Sequence, residues 1–217
     1  MNPFEIKDCA LLVRMSGLPP AFNLRELRER IASCSDNVLY HHFCETTLRP
    51  TFDNPDYRND FAVWVKLHLA DRVLAEQLGI LDPFSCASFE ELRSTLLELI
   101  DQRLSELPYI PSVVPGYEFH FQEATTVVFD TGERIASPPE MAGAVARMTR
   151  DSIFFHFLEA RRRTPGNRDD FTSWLEGWGK AGGPYVEALR NIDFYFYTLK
   201  ELRDELVRAL SGPGGPG

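Results

Sequence analysis

Tyr40-His41-His42-Phe43-Cys44-Glu45 and Phe154-Phe155-His156-Phe157-Leu158-Glu159 lie 114 positions apart and share a histidine, the phenylalanine after it and a glutamate three residues on. Toward the C-terminus, Asp60-Phe61-Ala62-Val63-Trp64 meets Asp170-Phe171-Thr172-Ser173-Trp174 at a spacing of 110. Glu91-Leu92-Arg93 meets Glu201-Leu202-Arg203 at the same spacing, and Leu81-Asp82 meets Ile192-Asp193 at 111. Toward the N-terminus, Val13 meets Val128 and Gly17 meets Gly132 at 115. The spacing drifts only where loops belong. Colinear matches of this extent predict a tandem, pseudo-symmetric duplication. The first repeat covers residues 1–107, a Pro-rich linker 108–116 and the second repeat 117–211, with a Gly/Pro tail at 212–217 expected to be disordered.

Each half reads as a short β segment followed by about four helices, an α+β fold that is mainly α. An alternating apolar run, Phe4 to Arg14 or Phe119 to Phe129, comes first and predicts a strand that ends in a turn at Gly17 or Gly132. Asn23-x-x-Glu26 and Ser137-x-x-Glu140 then read as capping boxes at the start of a helix. A second helix is expected from about Val38 to Arg49 and from Ile153 to Arg163. A third opens at Asn59-Asp60 and Asp169-Asp170, where acidic groups suit the positive end of a helix dipole. The last opens at Ser88 or Thr198 and carries Phe89, Leu92, Leu96 and Leu99, or Leu199, Leu202, Leu206 and Leu210, at core-facing spacing. Gly179-Lys180-Ala181-Gly182-Gly183-Pro184 must break or end the third helix of the second copy.

Apolar residues form 44% of the 217 and charged residues 25%, the balance of a globular chain that can bury a core. A formal charge of −9 repels a phosphate backbone, and no basic face with interleaved aromatics offsets it, so no nucleic-acid partner is expected. No apolar run approaches the ~20 residues of a membrane span, and the N-terminus lacks a signal-peptide pattern. Cys9, Cys34, Cys44 and Cys86 all fall in the first half without C-x-x-C spacing, which predicts reduced thiols in a cytoplasmic protein. No pattern identifies a cofactor or sets an oligomeric state.

Comparing the halves separates core from candidate chemistry. Phe43/Phe157, Trp64/Trp174 and Leu92/Leu202 need only a core, and Asp60/Asp170 only a helix start. The residues left over are His42/His156, Glu45/Glu159, Arg49/Arg163, Asp82/Asp193 and Arg93/Arg203. His42, Glu45 and Arg49, like His156, Glu159 and Arg163, fall at i, i+3 and i+7 and share one helix face. Glu and Arg at i, i+4 are in the order that favours pairing, and the histidine can reach the glutamate one turn on.

Three readings follow. The stripes could lock each helix to its neighbours as a satisfied polar network. They could line one cleft between the halves, making the chain a binding or regulatory module for a small polar ligand or a protein partner. Or the His/Glu pairs could serve a metal-dependent or carboxylate-based hydrolase, since His-x-x-Glu pairs from two helices occur in helical metal sites. Arg49 and Arg163 would put positive charge beside such a cation, and Phe155 and Leu158 replace the extra donors His41 and Cys44 in the second copy, so no metal site is assigned. Asp130-Thr131-Gly132 spells the aspartic-protease triplet, but the matching Met15-Ser16-Gly17 offers no second carboxylate to share the proton, and a turn is expected. G-x-S-x-G, the P-loop and G-x-G-x-x-G do not occur.

The phrases His42-Phe43-Cys44-Glu45, Asn59-Asp60-Phe61-Ala62-x-Trp64, Val127-Val128-Phe129-Asp130-Thr131-Gly132 and Ile153 through Arg163 resemble a bacterial and archaeal family known as a domain of unknown function. The resemblance covers nearly the whole chain. It implies a prokaryotic cytosolic protein and carries over no activity, cofactor or catalytic residue.

Overall fold

The computed structural model describes residues 2–48, 57–164 and 166–212. The tail expected to be disordered lies, apart from Gly212, outside the described residues, as does Arg49. The chain forms an α+β protein, mainly helical, with one two-stranded sheet among the described residues. It divides into two compact units, and neither is a continuous stretch: one is Met1–Ala10 with Thr126–Gly217, the other Leu11–Thr125.

The unit of residues 11–125 holds α1 (Leu24–Ser33), α2 (Asp36–Phe43), α3 (Asp60–His68), α4 (Arg72–Gly79) and α5 (Phe89–Glu106). Strand β1 (Phe4–Met15) ends in it, at Leu11–Met15, and β2 (Gln122–Ile135) begins in it, at Gln122–Thr125. Here Ser16 N donates to Phe121 O at 3.0 Å and Arg14 pairs with Glu123 at 2.7 Å, so β2 runs antiparallel to β1. The unit's core gathers Leu27 and Ile31 of α1, Leu39 of α2, Phe61 and Val65 of α3, Leu78 of α4, and Leu92, Leu96 and Ile100 of α5. On α5 the buried row turns to Ile100 where the sequence pattern pointed to Leu99, which is half-buried. The Pro-rich stretch is tied down: Val113 N donates to Phe22 O at 2.8 Å, and Asn23 and Ala21 bridge to Ser112 and Phe119.

The other unit combines Phe4–Ala10 of β1 and Thr126–Ile135 of β2 with α6 (Met141–Arg147), α7 (Arg150–Ile153), α8 (Ala160–Arg163), α9 (Asp170–Glu176), α10 (Gly183–Arg190) and α11 (Leu199–Ser211). Lys7 faces Asp130 at 3.4 Å, and Thr131 Oγ1 donates to Ile6 O at 2.7 Å. Gly132 sits inside β2 at φ 81°, and Asp130 accepts its N–H at 2.9 Å. The bend is local to the strand, and the Asp-Thr-Gly triplet serves it. Between α7 and α8, Phe154–Glu159 form a π-helical turn in which Ala160 N–H reaches Phe155 O. The second helix expected from Ile153 to Arg163 is therefore continuous but re-phased, whereas α2 stops at Phe43 and continues as the 3₁₀ turn Glu45–Leu48. Leu199, Leu202, Leu206 and Leu210 of α11 are all buried, each worth roughly 2 kcal/mol relative to exposure.

Most helix starts follow their caps. Asn23, Asn59, Asp71, Ser88, Thr149, Asp169 and Thr198 each accept a backbone N–H of the first turn. Thr198 and Glu201 form a complete capping box. At Asn23 the arm is displaced, since the Glu26 carboxylate takes Phe22 N–H at 2.8 Å. The box expected at Ser137 does not form. Pro138 and Pro139 lead into a 3₁₀ turn in which Glu140 N donates to Ser137 O, leaving the Ser137 hydroxyl to donate to the Glu140 carboxylate at 2.6 Å. Helix α9 ends at Glu176, ahead of the glycine-rich run. Gly182 is needed there, because a Cβ would overlap the Leu175 carbonyl.

Candidate functional site

The two histidines of the repeated phrase occupy equivalent surroundings. His42 lies in the last turn of α2 with 2% of its surface exposed. Its Nδ1 lies 2.6 Å from Asp60 Oδ2, on the first residue of α3, and its Nε2 accepts from Gln122 N at 3.0 Å. Phe119 and Phe61 flank the ring at 4.9 and 5.3 Å. His156, also 2% exposed, lies in the π turn. Its Nδ1 is 2.8 Å from Asp170 Oδ2 on the first residue of α9, its Nε2 accepts from Lys7 N at 2.8 Å, and Phe4 and Phe171 flank it at 4.9 and 5.7 Å. A backbone N–H can only donate, so Nε2 in each ring presents its lone pair and Nδ1–H donates to the aspartate. The aspartate thus fixes the tautomer, and the ring holds a strand by its backbone.

Of the rows expected at His42, Glu45, Arg49 and at His156, Glu159, Arg163, Arg49 lies outside the described residues, and Glu45 and Arg163 pair as follows. Glu45, 2% exposed, pairs with Nδ1 of the fully buried His41 at 2.6 Å, not with His42. His41 Nε2 has no hydrogen-bond partner among the described residues. Arg163 reaches His156 through Asp170, forking onto both carboxylate oxygens at 3.2 and 2.6 Å. It also donates to Phe155 O at 3.1 Å and lies over the Phe155 ring at 4.1 Å. Glu159 is half-buried at the end of the π turn. Arg93 is structural: it donates to Ile31 O at 2.6 Å at the end of α1 and to Asp36 at 2.7 Å. Arg203 donates to Met148 O at 3.3 Å, and Asp82 closes a turn by accepting Phe84 N–H at 2.8 Å.

Asp60 and Asp170 went unrecognised as histidine partners. Asn59 and Asp169 already supply the cap, so a second acid at both starts was surplus to capping, and that surplus was the available signal. Arg163 was singled out, but not its route to His156.

Among the described residues no group of three or more His, Cys, Asp or Glu is placed to hold a metal ion, and no helix is long and apolar enough to cross a membrane. None of the four cysteines forms a disulfide. Cys9, Cys34 and Cys44 are buried, and burial pushes the Cys34 thiol above its ordinary pKa.

A two-unit α+β fold with paired histidine–aspartate clamps defines the class, and the chain belongs to the family described as Family of unknown function (DUF5752), whose model matches residues 1–211. Among solved structures it is similar to OrfY from Thermoproteus tenax, with 30% identity over 96% of this chain and 94% of that one and a TM-score of 0.78. No curated protein matches it.

Proposed function

We propose that the chain is an internal duplication whose repeats have exchanged strands, and that it acts as a binding or regulatory module in which the buried histidines serve the architecture. The exchange reading is supported by contacts that recur at one offset. Trp174 Nε1 donates to Asn2 O at 2.9 Å and Trp64 Nε1 to Tyr117 O at 2.7 Å. Phe4 and Phe119 contact matching His, Phe and Trp side chains. The N–H groups of Lys7 and Gln122 take matching Nε2 atoms. Each strand pair differs by 115 positions.

The observation that carries the functional reading is that both ring nitrogens of His42 and of His156 are committed, one to an aspartate and one to a strand backbone. Base or metal-ligand chemistry at either ring would first have to break a strand contact. A hydrolase using Glu45, Glu159, His42 and His156 would have to rebuild its site. The partner is a small polar ligand or another protein, and the −9 charge disfavours nucleic acid. The lack of disulfides fits a reducing, cytoplasmic setting.

The test combines metal analysis of protein purified without chelator with ester and phosphoester hydrolysis assays on the parent, Glu45→Gln and His156→Gln. We expect no stoichiometric metal, no turnover and a lowered melting temperature for His156→Gln. Turnover abolished by Glu45→Gln or His156→Gln at unchanged melting temperature would overturn the reading in favour of the hydrolase.

A further inference from the structure

The unit containing the second repeat's helices has a cavity of about 240 Å³ walled by α9, the end of α10 and the loop before α9. Three guanidinium groups line it, those of Arg161, Arg168 and Arg190, against two carboxylates, Asp169 and Glu176. Outside the lining, Glu187 also approaches Arg190, at 3.9 Å. The two carboxylates are heavily shared. Glu176 gives one oxygen to Arg168 and the other, at 3.6 Å, to Arg190. Asp169 spends its oxygens on the N–H and hydroxyl of Thr172, at 2.7 and 2.8 Å, and is 3.4 Å from Arg161. Burial pushes the Asp169 carboxyl above its ordinary pKa.

Arg161 is held in place. Its guanidinium lies over the rings of Phe157 and Phe194, at 4.7 and 4.4 Å, and donates to Asn167 O at 3.2 Å. A pre-positioned planar fork favours bidentate oxyanions. At about 30 Å³ per water, the volume suits a ligand larger than a single ion.

We propose that this cavity binds a small organic molecule carrying at least two negative oxyanion charges, with Arg168 and Arg190 turning from Glu176 to the ligand. A dianion site gives the binding module its ligand class and rests on that reading. The site is confined to one unit: under the duplication, Thr47, Asn59 and Lys66 stand where Arg161, Asp169 and Glu176 do, so one ligand binds per chain.

The experiment is thermal denaturation and titration calorimetry of the full chain with inorganic phosphate, a phosphomonoester (glycerol 3-phosphate) and succinate, each against sodium chloride at equal ionic strength. We expect saturable binding of at least one dianion with one site per chain. The Arg168→Gln/Arg190→Gln variant should weaken it tenfold or more, while Glu176→Gln, which removes the internal competitor, should tighten it several-fold. Circular dichroism establishes that the variants fold, and Arg168→Lys/Arg190→Lys, which retains the charge, should bind with intermediate affinity. A preference for the phosphorylated probes or for succinate identifies which dianion the site takes. No dianion effect beyond that of sodium chloride, an unchanged response in the double glutamine variant, or weaker binding in Glu176→Gln would each overturn the proposal. Hydrolysis and metal content read the module hypothesis separately, so failure of one is distinguishable from failure of the other.

Discussion

Asparagine at position 170 would keep the size of the side chain but lose the charge that His156 and Arg163 share. Removing the charged acceptor from a largely buried hydrogen bond costs about 1–3 kcal/mol, so we expect Asp170→Asn, and likewise Asp60→Asn, to lower denaturant stability by that amount. The His41–Glu45 pair offers a sharper contrast. His41→Phe strands a buried carboxylate and should cost about 3 kcal/mol or more, whereas the double variant His41→Phe/Glu45→Leu should recover most of the loss. A double-mutant cycle by urea denaturation checks this, and two additive losses would contradict it.

Asp169 sets a pH dependence. Because burial raises its pKa in the folded state, the folded chain binds that proton more tightly than the unfolded one. The ionised side chain therefore costs stability above the raised value, and the cost fades as pH falls toward the ordinary carboxyl value of about 3.9. Asp169→Asn, which can still cap α9, should gain most over the parent at neutral pH and lose that advantage in acid. Denaturation at pH 7 and pH 4 measures the difference. At this scale the sequence identified both histidines as worth following, but it could not show which acid each would meet. Asp60 lies 18 residues from His42 and Asp170 lies 14 from His156, and helical periodicity says nothing across a loop.

Helix starts were the most legible elements because their chemistry is local: an oxygen one turn away from the N–H it accepts. Thr198 and Ser137 show how far that reading reaches. Both have a glutamate three residues on, yet only Thr198 closes the box. Thr198→Ala should cost about 1 kcal/mol, whereas Ser137→Ala should change the melting temperature little. Equal losses would contradict the prolines' role in diverting Ser137. The π turn at Phe154–Glu159 left no local mark, since its residues, four rings with Leu158 and Glu159, are all helix-compatible and its phase depends on what the neighbouring helices require. The core position at Ile100 was misplaced for a similar reason, as Leu99 and Ile100 are both apolar and only packing chooses between them.

The self-similar pattern was readable from end to end, but the strand exchange proposed above was not. Matched residues of like type give nearly the same contact energy whether a strand docks on its own helices or on those of the other copy, so self-similarity cannot decide. Phe4 distinguishes the two arrangements. It lies against His156, Phe171 and Trp174, more than 150 positions away. Phe4→Ala should cost about 3–5 kcal/mol. Hydrogen exchange should show lost protection in α9 and α11 while α1 and α5 keep theirs. Loss confined to α1–α5 would place the strand on its own half.

The divided unit also sets an order of assembly during synthesis. Phe4 and Ile6, both buried in the finished protein, leave the ribosome before any residue of the helices that cover them has been made. At about 5–20 residues per second, the wait for Thr126 lasts roughly 10 s and for α11 longer still. Through that interval Phe4, Ile6 and Cys9, set between the charged Glu5, Lys7 and Asp8, have no helices to dock against. Helix α11, made nearly two hundred residues after Phe4, is one of those that complete the unit to which Phe4 and Ile6 belong.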